Sequence, residues 1–259
     1  MGVDAFRRAL PPSVKRYTRR ALHGVLVAAA RTRPVAVPPA ALDCIVARNS
    51  YGVYCVPRAC SQRPAAQALL ESRIWEADTL ELMRAIPGDV VHAGTFFGDF
   101  LPALASSRDD TVWAFEPNRE SHRCAQITAE LNDLANVHLV NAALSDASGA
   151  CNLAVTNAAG VPSGGGSRLK PDPLDGEVVE LVPLVTVDEV VPADRNVGVI
   201  ELDVEGHEQQ ALLGALGVIA RCRPVVIVEQ APAAGWLREH LPEYRVSDKV
   251  NGNSVLTHV

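Results

Sequence analysis

The stretch Val90-Val91-His92-Ala93-Gly94-Thr95-Phe96-Phe97-Gly98-Asp99-Phe100 leads through a helix-like segment to Thr111-Val112-Trp113-Ala114-Phe115-Glu116-Pro117-Asn118. An apolar strand, a glycine turn, a helix and a second strand ending in an acid make one βαβ unit. Gly94 and Gly98 fall at the mouth of the first strand, where a missing side chain lets backbone approach a ligand. Glu116 falls at the tip of the second, where a carboxylate accepts both hydroxyl protons of a ribose. The 22 positions from Gly94 to Glu116 are what one helix and a returning strand require. The turn lacks the compact G-x-G-x-x-G that seats a pyrophosphate on a helix N-terminus. A ribose-bearing ligand without a diphosphate is therefore expected.

Outward from this unit the chain alternates. Strand-like Ile45 to Pro57 precedes a helix over 65–73 and a second from Glu76 to Pro87-Gly88. Strand 89–93, helix 99–107, strand 111–115, helix 119–132 and strand 137–144 follow, a rhythm that predicts a parallel sheet with helices on both faces. It breaks at strands 151–155 and 177–187, which flank a glycine-dense loop, Gly160 to Pro173, read as a mobile flap or a plain solvent loop. It resumes with strand 197–204, helix 207–220 and strand 224–229. Segments 243–247 and 254–259 close the chain around Asn251-Gly252, a hairpin signal that makes the last two strands antiparallel.

Of 259 residues, 48% are hydrophobic and 21% charged, as in an ordinary globular protein. We expect a basic helical extension and Pro-rich linker over 1–40 and one α/β domain over 41–259. Eight basic residues stand against Asp4 in the first 33 positions, giving +7, so the remainder carries −13. An acidic body with 5% aromatics argues against a nucleic-acid partner. Residues 12–30, placed on a helix, set Lys15, Arg16, Arg19, Arg20 and His23 opposite an apolar face. That face either makes peripheral contact with anionic lipid or a lipid-linked substrate, or packs on the body or on a second subunit of an oligomer. The longest uncharged run there, Ala21 to Ala30, is too short to span a bilayer. Six cysteines without a C-x-x-C pair read as reduced thiols. A cytoplasmic protein, membrane-associated if the basic helix binds lipid, is expected.

Four separated blocks carry a resemblance. They are Val91 to Asp99; Ala114-Phe115-Glu116-Pro117-Asn118; Val140-Asn141-Ala142-Ala143-Leu144-Ser145-Asp146; and Val199-Ile200-Glu201-Leu202-Asp203-Val204-Glu205-Gly206-His207-Glu208, with Arg223 to Glu229 behind it. In this order they resemble the FkbM family of S-adenosyl-L-methionine-dependent methyltransferases over about residues 75–230. The resemblance implies a Rossmann-like class I fold, a seven-stranded, mostly parallel sheet with a C-terminal antiparallel hairpin. It implies cofactor contacts from His92, Gly94, Thr95, Gly98, Glu116, Asn118, Asn141 and Ala142, and from Glu76, which matches a frequent family acid and would border the methionine end. The chain departs from the family at His92 (Asp there), Phe96 (Asn), Glu201 (Lys) and His207 (Ala).

Methyl transfer is an in-line displacement that needs alignment and, for a hydroxyl acceptor, a base. Asp203, Glu205 and His207 follow one strand into a turn at the sheet's carboxyl end, where ligands sit. Asp203 is expected to contact cofactor or substrate, and His207, with an ordinary pKa near 6.5, to serve as base. Glu205 serves there too, or caps the next helix. With Glu229 these residues could hold Mg²⁺, although no spacing is diagnostic of a metal cage. Tyr51, Tyr54 and Trp75 are candidate walls of an acceptor pocket. The acceptor the resemblance implies is a hydroxyl of a sugar, glycolipid or polyketide-like natural product. Two alternatives stay open. A nicotinamide-dependent oxidoreductase would use the same acid but calls for a Tyr-x-x-x-Lys pair, which the chain lacks. A non-catalytic relative would bind adenosyl ligands without turnover.

Overall fold

A computed structural model describes residues 42–170, 172 and 174–259. The expected helix over 12–30 and its linker lie outside the described residues.

The described chain opens with strands β1 (Cys44–Arg48) and β2 (Val53–Pro57) and helices α1 (Pro64–Leu70) and α2 (Ala77–Ala85). Next come β3 (Asp89–Ala93), α3 (Leu101–Ala105), β4 (Val112–Phe115), α4 (Arg119–Leu131), β5 (Val137–Val140), β6 (Ala143–Leu144) and β7 (Gly149–Ala154). Then β8 (Arg168–Leu169), β9 (Val179–Val185), α5 (Val187–Val190), β10 (Val197–Leu202), α6 (Glu208–Leu213), α7 (Leu216–Cys222) and β11 (Val225–Val228) follow. Last are α8 (Ala234–His240), β12 (Tyr244–Val250) and β13 (Asn253–His258).

The main sheet runs β12-β13-β11-β10-β3-β4-β5. Its five strands from β11 to β5 pair in parallel, and β13 and β12 add antiparallel pairs. Alternate residues of each strand serve opposite layers. Val91, Ala93, Phe115, Ile200 and Leu202 pack with Leu212 and Ile219, whereas Val90, Val112, Ala114 and Val199 pack with Met83, Phe100 and Leu104. Burial on both faces explains why β3, β4 and β10 read as continuous apolar runs. Asn118 caps α4, its Oδ1 accepting the Ser121 N–H at 3.0 Å. Asn251 and Gly252 both take positive φ, 49° and 93°, as a two-residue hairpin turn demands.

Several elements differ from the sequence reading. Ile45 to Pro57 is not one strand but a hairpin, turned where Asn49 Oδ1 accepts the N–H groups of Tyr51 and Gly52. Segment 137–144 divides at Asn141: β5 stays in the main sheet, while β6 joins a second sheet of order β6-β9-β7-β8. An apolar run does not say which sheet it enters. Helix 207–220 breaks at Gly214, where a Cβ would stand 2.0 Å from the Ser145 carbonyl oxygen, so close backbone packing ends α6. Helix α8 went unread because Pro232 and Gly235 mimic a loop; burial of Leu237 and Leu241 holds it. Among the described residues no helix is long and apolar enough to cross a membrane. All six cysteines are free.

Candidate functional site

The carboxyl ends of β3, β4 and β10 converge on one crevice. Gly94, φ +85°, turns the chain out of β3; a Cβ there would stand 1.9 Å from the Asp203 carbonyl oxygen. Gly98, φ +82°, is less tightly confined, a Cβ there standing 3.0 Å from Leu101 Cδ1 and 3.3 Å from Ala125 Cα of α4. Both glycines thus answer to backbone packing and positive φ, and Gly94 also lines the crevice. Thr95 is buried, its hydroxyl donating to the His92 carbonyl oxygen at 3.1 Å, and supports the turn from beneath.

Phe96 adopts φ +53°, a conformation costing an L-residue about 1–2 kcal/mol. That twist aims its N–H at Glu116 Oε2, 2.8 Å away, while Glu116 Oε1 accepts the Asn118 N–H at 2.8 Å. Burial pushes the Glu116 carboxyl up to about 8 despite these donors. Asn141 Nδ2 donates to the carbonyl oxygens of Glu116 and Pro117, at 2.8 and 3.1 Å, fixing the strand tip. Asn118, beyond its cap, donates to Ser167 Oγ at 3.5 Å. Asn118 and Asn141 therefore hold the wall, whereas Glu116 and Ala142 line the crevice itself.

The crevice has two parts that share Gly94, Gly165 and Asp203. The narrow part, bounded by Glu116, Ala142, Leu144 and His207, holds about 30 Å³, little more than a water. Gly164–Gly166 closes it, with Gly164 and Gly165 against the Phe96 ring and the Arg63 guanidinium donating to the Ser163 carbonyl oxygen. The wide part holds about 300 Å³ and is lined by Trp75, Glu76, His92, Asp99, Glu201, Asp203, Glu205 and Glu229. The glycine-dense loop expected as flap or solvent loop thus bounds the crevice at residues 163–167; residues 171 and 173 lie outside the described set.

Carboxylates dominate the wide part. Asp203 opens at its mouth, where burial against the walls, then Glu201, Glu229, Glu205 and Glu76, push its carboxyl up to about 9. Asp99, which the sequence reading passed over, is pushed up to about 6 by burial. Burial also raises Glu76, although Asn253 Nδ2 donates to it at 2.5 Å. Asn251 Oδ1 accepts the Thr79 N–H at 2.9 Å, so the C-terminal hairpin secures the start of α2. Asn253 and Asn251 lie far along the chain from Glu76, and no sequence signal joins them. Glu205 takes the Arg168 guanidinium, Nη2 to Oε2 2.7 Å. His207 lines the narrow part, its Nε2 3.0 Å from Ser145 Oγ, and burial lowers its pKa.

His92 and Glu201 are neighbours in register on β3 and β10, each 4% exposed, and are joined through His92 Nδ1 and a Glu201 carboxylate oxygen. His92 stacks on Phe100, ring centroids 5.5 Å apart. Its Nε2 is buried and has no hydrogen-bond partner among the described residues, a deficit that ordinarily costs about 1–3 kcal/mol. Of the candidate acceptor walls, Trp75 lines the wide part, Tyr54 is buried in the core, and Tyr51 donates to Glu81 Oε1 at 2.9 Å. Among the described residues no three His, Cys, Asp or Glu are arranged to hold a metal, so Asp203, Glu205, His207 and Glu229 make no such group.

An open, mostly parallel α/β sheet with a crevice at the carboxyl ends of its strands is the class of fold the described residues define. Within it, residues 92–245 match the methyltransferase FkbM domain, and the chain belongs to that family. No curated protein matches the chain. Among solved structures it is similar to a methyltransferase FkbM from Methylobacillus flagellatus, with 16% identity over 66% of this chain and 43% of that one and a TM-score of 0.43. A T. thermophilus 16S rRNA methyltransferase in complex with AdoMet and guanosine shares 17% identity over 86% of this chain and 52% of that one, TM-score 0.44. TYW2 of M. jannaschii in complex with AdoMet shares 11% identity over 83% and 86%, TM-score 0.46. The chain spans about half the length of the first two.

Proposed function

We propose that this chain is an S-adenosyl-L-methionine-dependent O-methyltransferase acting on a hydroxyl of a sugar, glycolipid or polyketide-like natural product. The observation that carries the reading is the Glu116 carboxylate, locked by the Phe96 and Asn118 N–H groups at the edge of a crevice whose wider half is acidic. The donor set fits the cofactor. Each Glu116 oxygen keeps a lone pair for a ribose hydroxyl, and the acids beyond Gly94 suit a sulfonium and an ammonium. When bound, the cofactor supplies an electrophilic methyl group. Asp203 reaches both halves of the crevice; its raised pKa keeps it protonated until a cation stands beside it, and ionised there it is placed to take the acceptor's proton. His207, expected from the sequence to serve as base, borders the narrow half alone, and in this reading it orients the nucleoside. The 163–167 turn excludes water once closed.

Calorimetry with S-adenosylmethionine, S-adenosylhomocysteine and NAD(H) tests the cofactor. Affinity for the first two alone supports the reading, and preference for NAD(H) overturns it. Mass spectrometry for a gain of one CH₂ across hydroxylated glycosides tests the acceptor. Binding without transfer to any acceptor would favour the non-catalytic alternative.

A further inference from the structure

The His92–Glu201 pair is costly where it stands. It buries two ionisable groups between strands, and Glu201 satisfies only one side of the imidazole. Nδ1 is spent on Glu201, so Nε2 is the ring's free position, on a residue that lines the wide half of the crevice. Two residues on, Gly94 turns the chain out of β3 and borders both halves, whereas His92 lines the wide half and Glu116 the narrow one. Burial opposes a charged ring, but Glu201, with Asp99 and Glu116 behind it, outweighs burial and holds His92 above its ordinary value. Nε2 is then a donor, and among the described residues the one other basic group lining this half is Arg63, which gives one N–H to the Ser163 carbonyl and keeps its own Nε without a partner.

We infer that His92 Nε2–H binds the carboxylate of the cofactor's amino-acid end, while the acids around it, Glu76 and Glu201, face the ammonium. The pair thereby presents a zwitterion-reading surface: one donor held charged by the acid beside it, with further acids for the cation. The orphaned N–H gains a partner when an acceptor enters, and a charged ring favours an anionic one most. This rests on the reading of the crevice as an S-adenosylmethionine site.

Three ligands separate the two claims: S-adenosylmethionine, its decarboxylated analogue, and 5′-methylthioadenosine, which lacks the amino-acid end. In calorimetry the wild-type protein prefers S-adenosylmethionine over the decarboxylated form by about tenfold or more. His92→Asn keeps a donor where Nδ1 meets Glu201 but removes Nε2; it loses that preference and keeps its affinity for methylthioadenosine. His92→Gln, which carries its amide near the Nε2 position, recovers part of the preference. Equal preference in wild type and His92→Asn overturns the inference while leaving the site intact, whereas failure of all three ligands to bind wild type overturns the site itself. If the variants do not fold, ¹⁵N spectra of the wild-type histidines decide. The His92 Nε2 resonance shifts with S-adenosylmethionine and stays with methylthioadenosine; an identical response to both overturns the inference.

Discussion

The Phe96 backbone N–H and the Glu116 carboxylate meet at 2.8 Å, and the bond exists because Phe96 accepts φ +53°. A second N–H, from Asn118, claims the other oxygen. Glu116→Gln puts an amide NH₂ against one of these donors. We expect a loss of about 1–3 kcal/mol in stability and at least tenfold in S-adenosylmethionine affinity. Denaturant unfolding and calorimetry check both; undiminished affinity would remove Glu116 from the site.

Asp203 borders both halves of the crevice, His207 only the nucleoside half. Asp203→Asn should lower kcat by about 10²- to 10⁴-fold, the usual range for a lost general base. His207→Ala should act mainly on cofactor affinity. Steady-state kinetics with an identified acceptor would reverse the assignment if His207→Ala proved the more damaging to kcat.

Folding raises three crevice carboxyls: Asp99 from 3.8 to about 6, Glu116 from 4.5 to about 8 and Asp203 from 3.8 to about 9. The folded protein then binds more protons than the unfolded chain between these limits, so stability is greatest below the lower values and declines as pH rises through the upper ones. The melting temperature of the free protein should fall between about pH 5 and 9. Bound S-adenosylmethionine, bringing positive charge to the ionised acids, should flatten that decline. Parallel slopes with and without cofactor would contradict this.

Arg63, which lines the wide half, holds the Ser163 carbonyl next to Gly164–Gly166. Since the narrow half holds about 30 Å³, this turn must shift to admit a nucleoside. Arg63→Ala should raise the dissociation rate of S-adenosylhomocysteine severalfold, read by stopped-flow fluorescence. An unchanged rate would mean that the turn is not a gate.

At the opposite end of β3, Asp89 is 1% exposed and accepts from Arg195, Trp113 Nε1 and the Thr111 N–H. Arg195 and the other donors offset burial and hold its pKa below the ordinary value. Its contribution is present above the unfolded value of 3.8 and lost as pH falls through the folded one. Asp89→Ala should cost about 3 kcal/mol at neutral pH, measured by denaturant unfolding, with cofactor affinity unchanged.

The strand–turn–strand around Gly94 and Glu116 was legible because both faces of β3 and β4 are buried, which writes local apolar runs. The Asn251-Gly252 turn was legible because positive φ restricts residue type. The flanking site residues were less so. Thr95, Asn118 and Asn141 fall where the blocks set them, yet their side chains hold neighbouring backbone. Asp99 and Arg63 carry no local pattern that separates them from solvated charges.

Sequence by itself determined the αβ alternation, the turn glycines, the acid at the strand tip and the family, since each depends on contacts short along the chain or on backbone angles few residues tolerate. Tertiary structure decided the rest: the departure of β6 into a second sheet, the Asn253–Glu76 bond, the seating of 163–167 over the crevice, and the pairing of His92 with Glu201. These join residues remote in sequence, and their strength comes from burial and charge neighbourhood, which exist only once the chain has packed.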